Sequence, residues 1–339
     1  MRNLIGKLPK HVLKFIQECI SFVPVIILGS GASAAFGIAG MSELARYLIK
    51  NVEPNEFEYK KWEEFKSELE KGTDLEKALH LVNLSSRLEE IIVLKTKELI
   101  VSKDIEIRKA ISLNQVHMPL TRLLAHLNRA ASPQIKIVTT NYDRLAEYAI
   151  DQAGLNHYSG FEGAYLKRFK GNFQNQKRES NIVEVLKVHG SLDWYRDHVS
   201  NVYGLPDDFQ SISGFYPVMV TPGKGKYQRT YDDPFRSLIT RVDELFIGAK
   251  SIFIVGFGFN DEHLQPKLYD KMRSLQTPIL IISKTLTENS RAFIKSNPQA
   301  RVLGIEEYDK GSKIVFPNKD DLDVAESLWD LNTLLDIIL

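Results

Sequence analysis

The chain is expected to fold as an α/β protein, a doubly wound parallel sheet with a helical insertion. Three observations carry this. The runs 25–28, 135–139, 183–188, 251–255 and 278–282 are short, rich in β-branched and aliphatic residues, and bounded by polar or glycine-containing turns. Such runs read as strands buried on both faces. Segments of helical periodicity separate most of them, which implies parallel pairing. Finally, four of the runs end in small or polar groups, as parallel sheets do where ligands bind.

The elements follow in order. In residues 9–20, Val12, Leu13, Phe15, Ile16 and Ile20 recur at helical spacing, and Pro24 stops that helix. Residues 25–28 form the first strand. After a glycine turn, 42–51 read as a helix with Ser42 as N-cap. Residues 55–130 are expected to be almost wholly helical, with a capping box at 73–76 and an apolar face at Leu75, Ala78, Leu79 and Val82. Alternation resumes at 135–139, followed by a helix over 144–152. Residues 156–181 suit a loop or small subdomain, and 199–214 are turn-rich. The strands 183–188 and 216–221, a helix over 231–247, and the strands 251–255 and 278–282 come next. A strand near 301–303 and a final helix over 321–338 close the chain. The domain division expected is a core of 1–54 and 131–310, a helical insertion of 55–130, and a C-terminal helical extension of 311–339.

With 339 residues, 43% hydrophobic and 26% charged, the chain can bury a substantial core. A net charge of +1 gives no global basic field, so direct nucleic-acid binding is not indicated. The single cysteine, Cys19, excludes an intramolecular disulfide and a cysteine-rich zinc site, and reads as an inert core thiol. No apolar run reaches the roughly 18 residues of a membrane span, and no signal peptide is evident, so the expected location is cytoplasmic.

The four strand ends carry the candidate chemistry. Gly29-Ser30-Gly31-Ala32-Ser33 follows the first strand. Strand, small-residue turn and helix present backbone N–H groups to a pyrophosphate, although a tight turn without a ligand reads the same way. Thr140-Asn141-Tyr142-Asp143 follows the second; Asn141 and Asp143 could equally cap the next helix. His189-Gly190-Ser191 and Gly256-Phe257-Gly258 end two further strands. A histidine titrating near neutrality can serve as a base, an amide can orient water without titrating, and glycines permit close backbone approach. Asn260, or Asp261 beside it, is a candidate partner for a ribose hydroxyl. The remaining histidines make no convincing metal set.

Taken in order, Gly29-Ser30-Gly31-Ala32-Ser33, Thr140-Asn141-Tyr142-Asp143 and His189-Gly190 resemble the GAGxS, TQNxD and HG motifs of the sirtuins, and Gly256-Phe257-Gly258 a later glycine motif of that fold. The resemblance is to the bacterial sirtuin-like branch associated with antiphage defence. Deacetylase sirtuins carry a Pro-Asp-Phe-Arg segment; here 37–44 hold neither that Asp nor that Arg, and the four-cysteine zinc module is missing. The resemblance therefore implies a Rossmann-like core and NAD as substrate, cleaved to nicotinamide and ADP-ribose, with no zinc. It implies Asn141, His189 and Asp143 as catalytic residues. NAD would be bound by Gly29, Ser30, Gly31, Ala32, Ser33, Thr140, Gly190, Ser191, Gly256, Phe257, Gly258 and Asn260. It further implies homo-oligomers and a partner such as a HerA-like ATPase or DNA translocase. Two other readings stay open: an NAD or ADP-ribose-binding regulatory module without turnover, and an NAD-dependent protein deacylase.

Overall fold

A computed structural model describes residues 8–73, 75–130, 134–164, 166–173, 181–205, 214–220, 232–261 and 263–339. The first helix, α1 (Lys10–Ser21), leads into β1 (Val25–Leu28), whose four side chains are all buried. Burial on both faces is what a central parallel strand requires. The period of two divides its residues between two cores. Ile26 and Leu28 join one and Val25 and Ile27 the other.

Next come α2 (Ser30–Ala34), α3 (Met41–Asn51), α4 (Tyr59–Glu70), α5 (Leu75–Leu81), α6 (Ser86–Ser112) and α7 (Pro119–Leu127). Ser42 is not the N-cap of α3. The helix starts one residue earlier, from Gly40, with no side-chain cap bond. The capping box expected at 73–76 includes Asp74, which lies outside the described residues. Leu44 and Leu48 of α3, Trp62 and Phe65 of α4, Leu75 and Ala78 of α5, and Leu88 and Ile92 of α6 form a separate helical core. The later part of α6, through Ile100 and Ile107, and all the buried leucines of α7 instead join the core of the sheet. The helices of 55–130 therefore serve two cores.

The chain continues with β2 (Lys136–Thr139), α8 (Leu145–Gln152), β3 (Asn156–Tyr158), β4 (Phe161–Glu162), β5 (Lys167–Phe169), β6 (Ile182–Lys187), β7 (Gly190–Arg196), β8 (Val202–Gly204) and β9 (Tyr216–Met219). It closes with α9 (Phe235–Gly248), β10 (Ile252–Val255), α10 (Gln265–Arg273), β11 (Ile279–Ser283), α11 (Glu288–Lys295), β12 (Val302–Tyr308), β13 (Gly311–Val315), β14 (Leu322–Val324) and α12 (Leu331–Ile338). The main sheet has nine strands in the order β14-β13-β12-β11-β10-β1-β2-β6-β3. From β12 to β3 every pairing is parallel, which is the expected doubly wound arrangement.

Two expectations are corrected. Residues 311–339 do not begin as a helical extension, because β13 and β14 pair antiparallel on the edge of β12. Leu322 and Val324 alternate with Asp323 on this edge, a period of two too short to separate from a helix by pattern alone. The last helix starts only at Leu331, where Asp330 accepts the Thr333 N–H at 2.9 Å. Second, 156–181, read as a loop or small subdomain, and the turn-rich 199–214 supply β4, β5 and β8 to a five-stranded antiparallel sheet, β4-β5-β8-β7-β9, whose β9 lies in the strand expected over 216–221. Its strands run from two to seven residues, so each carries little periodic signal.

Cys19 is fully buried, and burial pushes its thiol up to about 12. It stays protonated and unreactive, as expected of a core thiol. Among the described residues, no helix is long and apolar enough to cross a membrane.

Candidate active site

Register brings the four strand ends level. Leu28 pairs with Thr139 and Val255, and Thr139 with Lys187. The segments that follow these strands therefore meet at one carboxyl edge of the sheet, where open α/β sheets bind ligands. A cleft of about 300 Å³ lies there. Of the expected residues, Ser30, Gly31, Ser33, Thr140, Asn141, Asp143, His189, Gly256, Phe257, Gly258 and Asn260 line it. Met41 and Leu44 come from α3, and Ile100 from α6. A second, more apolar cavity of about 460 Å³ shares Gly31, Ser33, Asn141, Asp143, Gly256 and Ser283 with the cleft, and Phe36, Trp329 and Lys284 are among its walls.

Four expected ligand residues lie elsewhere. Ala32 faces the second cavity. Gly29 packs on β10: its N–H donates to the Val255 carbonyl at 3.0 Å, and a Cβ there would meet the Gly256 oxygen at 2.4 Å. Gly190, at φ +88, turns the chain into β7, where a Cβ would meet the Val218 oxygen at 2.0 Å. The Ser191 hydroxyl is buried and points to the Tyr142 carbonyl at 3.5 Å. The expected cradle of N–H groups is also largely spent within the fold. Gly31 N–H donates to Gly256 O at 2.9 Å, and Ala32 N–H to Gly29 O at 3.0 Å. The glycines serve first to let two backbones touch. Gly256, at φ +61, would place a Cβ 2.3 Å from Ala32 N. Gly256→Ala is accordingly expected to destabilise the protein by about 2 kcal/mol or more, since strain and overlap add. Chemical denaturation checks this, and an unchanged midpoint would refute the packing argument.

The histidine has a partner that the sequence reading did not select. His189 Nε2 lies 2.7 Å from Asp261 Oδ2, with both side chains nearly buried. An ionised carboxylate only accepts, so Nε2 donates to it, and in the neutral imidazole that tautomer places the lone pair on Nδ1. Asp261 is held in turn, because its Oδ1 accepts the N–H groups of His263 and Leu264 at 3.0 and 3.1 Å. Phe259, at φ +56, bends the chain two residues earlier. A bulky residue adopts that conformation only where its surroundings impose it. Here its ring stacks on Phe293 at 4.5 Å. Asn260, the residue favoured from sequence, instead accepts from Asn289 at 2.8 Å. The available signal was an aspartate just before a helix start, where its carboxylate caps N–H groups.

Asn141 and Asp143 are held by separate bonds. Asn141 Nδ2 donates to Gly29 O and to Ser33 Oγ, each at 2.9 Å. A carbonyl can only accept, so the amide orientation is determined and Oδ1 is left for the cleft. Asp143 Oδ1 accepts the Leu145 N–H at 3.2 Å. The helix-start bond therefore belongs to Asp143 and not to Asn141. Behind the loop, fully buried Lys187 donates to the Asp143 carbonyl and pairs with Glu147 at 3.2 Å.

Burial raises the Asp143 carboxyl above its ordinary value, against the opposing pull of Lys187, Ser33 and the Leu145 N–H. A raised folded-state value means that its stabilising contribution is complete below the unfolded-state value and is lost as pH rises through the folded one. Asp143→Asn removes that loss. It is expected to raise Tm at neutral pH and to flatten the fall of Tm above about pH 4. A lower Tm at neutral pH would show that the pairing with Lys187 outweighs burial.

The SIR2-like domain family model matches residues 135–297, which hold the second and third motifs and the later glycine motif. No curated protein matches the chain. Among solved structures, the chain is similar to a Sir2 homolog–NAD complex at 16% identity and a TM-score of 0.44, covering 87% of each chain. It is similar to a structure described as the structural basis for the mechanism and regulation of Sir2 enzymes at 15% and 0.46, covering 88% of this chain and 92% of that one. It is also similar to Sir2Tm bound to a propionylated peptide at 15% and 0.40, covering 81% and 88%.

Proposed function

We propose that this chain hydrolyses NAD to nicotinamide and ADP-ribose. The observation that carries the reading is the His189–Asp261 pair at 2.7 Å in the same cleft as Asn141, whose amide is held by Gly29 and Ser33. Breaking the nicotinamide–ribose bond sends its electron pair to the pyridinium ring, which leaves neutral, and creates an oxocarbenium-like centre. Asn141 Oδ1 would stabilise that centre and orient the attacking water. His189 Nδ1 would take the proton from water as its oxygen bonds the ribose carbon, and Asp261 would stabilise the imidazolium. Asp143 would hold the loop through its bond to the Leu145 N–H. Ser30, Gly31 and Gly258 would lie along the diphosphate, and the second cavity would give room to the adenosine end.

The reading extends to an antiphage effector that depletes NAD when activated. It would act in the cytoplasm as a homo-oligomer with a partner such as a HerA-like ATPase or DNA translocase. Supporting this are the sequence resemblance and large exposed apolar side chains on the helical block, Phe57, Leu81 and Leu113 at 95%, 57% and 67% exposure. A core and a helical insertion over 55–130 are kept as part of the proposal, with β13 and β14 assigned to the core sheet.

Purified protein incubated with NAD, with and without an acylated peptide, tests the reading. Nicotinamide and ADP-ribose released without peptide support it. Products that require peptide would favour a deacylase. Binding without turnover, with the partner supplied, would favour a regulatory module.

A further inference from the structure

The helix α6 is 27 residues long, about 40 Å at 1.5 Å per residue. Its buried residues fall at Leu88, Ile92, Thr96, Ile100 and Asp104, and at Val93, Lys97 and Val101. This is one continuous stripe. The early part of the stripe belongs to the separate helical core, while the later part reaches the cleft. There Ile100 forms part of the wall, and Lys97 donates to the Tyr195 hydroxyl of β7, the strand that follows His189. One turn beyond Ile100 stands Asp104, a carboxylate with no exposed surface.

All the bonds shown for Asp104 go to the chain that follows Asp143. Its Oδ1 accepts the Arg144 backbone N–H at 2.8 Å. Its Oδ2 accepts from Arg144 Nε at 3.0 Å, from Arg144 Nη2, and from the Tyr148 hydroxyl at 2.6 Å. A buried ion pair of this kind recovers its desolvation cost only with near-complete hydrogen bonding. An apolar contact would join two helices at less cost. What the carboxylate adds is direction, since it holds the backbone N–H adjacent to Asp143 from one side while Lys187 holds the Asp143 carbonyl from the other.

We propose that Asp104 is a positioning residue for the Asn141–Asp143 loop, setting the placement of Asn141 and Asp143 from α6. The proposal rests on the NAD-cleaving reading of the site. Asp104→Asn keeps the shape but turns a donor toward Arg144 or Tyr148. It is expected to lower kcat for NAD at least tenfold with KM changed less than twofold, because binding surfaces stay in place while the reacting geometry loosens. Hydrogen exchange over residues 140–145 should speed up. Tyr148→Phe, which removes a single bond, should give a smaller change of the same kind. Arg241→Gln, which breaks the Glu184 pair between α9 and β6, controls for stability loss, and it should lower Tm without lowering kcat. Should Asp104→Asn fail to fold, Tyr148→Phe decides by the same two readouts. A folded variant with normal kcat and unchanged exchange over 140–145 overturns the proposal. If the unaltered protein does not turn over NAD even with its partner, the functional reading falls, and the exchange measurement alone decides whether Asp104 positions the loop.

Discussion

Replacing His189 by alanine is expected to lower NAD turnover by about 10²–10⁴-fold, the usual contribution of a positioned base, while the protein stays folded. The side chain lines the cleft, and its ring contact with Tyr142 is loose, at 6.4 Å between centroids. Alanine deletes the bond to Asp261 but leaves the segment its backbone bonding, since the His189 carbonyl accepts the Val220 N–H at 2.9 Å. Asp261→Asn should give a related defect by another route. An amide opposite Nε2 can favour the other tautomer by donating to that nitrogen, which moves the lone pair away from Nδ1. Steady-state kinetics with Tm measured on the same samples check both variants. Near-normal hydrolysis by folded His189→Ala would remove the histidine from the mechanism.

Asn141→Ala is expected to reduce kcat by about 10²-fold or more with a smaller effect on NAD affinity. The substitution deletes Oδ1 from the cleft together with the bonds to Gly29 O and Ser33 Oγ. Losing those bonds also costs about 1–3 kcal/mol of stability, because a carbonyl and a hydroxyl each lose a hydrogen bond in a partly buried site. A pure helix-cap role would produce the stability loss alone. The geometry already argues against that role, since the bond to the Leu145 N–H comes from Asp143. The decisive measurement is kcat beside Tm: a destabilised but fully active variant would return Asn141 to a structural part.

Much of this arrangement was legible from local pattern. The strand runs at 25–28 and 252–255 are wholly apolar and short, so burial on both faces was readable without a fold. Small and polar residues after them marked the ligand edge for the same reason, because strand direction alone decides where parallel strands end together. The helix read over 321–338 holds only from Leu331, its first part being the strand β14, and the loop alternative for 156–181 and the turn-rich reading of 199–214 missed short strands. In both places the segments are a few residues long, and their pairing partners lie far away or on either side of a turn. Short strands acquire their identity from the edge they join, which periodicity cannot report.

By itself, then, the sequence determined the α/β class, the central parallel strands, the inert Cys19 and the set of strand ends from which a site would be built. Each follows from side-chain size, polarity and spacing within some ten residues of chain. The tertiary structure alone decided which of those residues face the cleft. It turned Gly190 and Ser191 into supports and spent the N–H groups of Gly29, Gly31 and Ala32 on packing. It also paired His189 with Asp261, 72 residues away, and brought Asp104 of α6 onto the loop 40 residues later. Such pairings depend on register between strands and on the packing of a helix across them. Hydrogen-bond geometry is satisfied or lost within a few tenths of an ångström, and no local pattern in the chain encodes a distance that fine between residues so far apart.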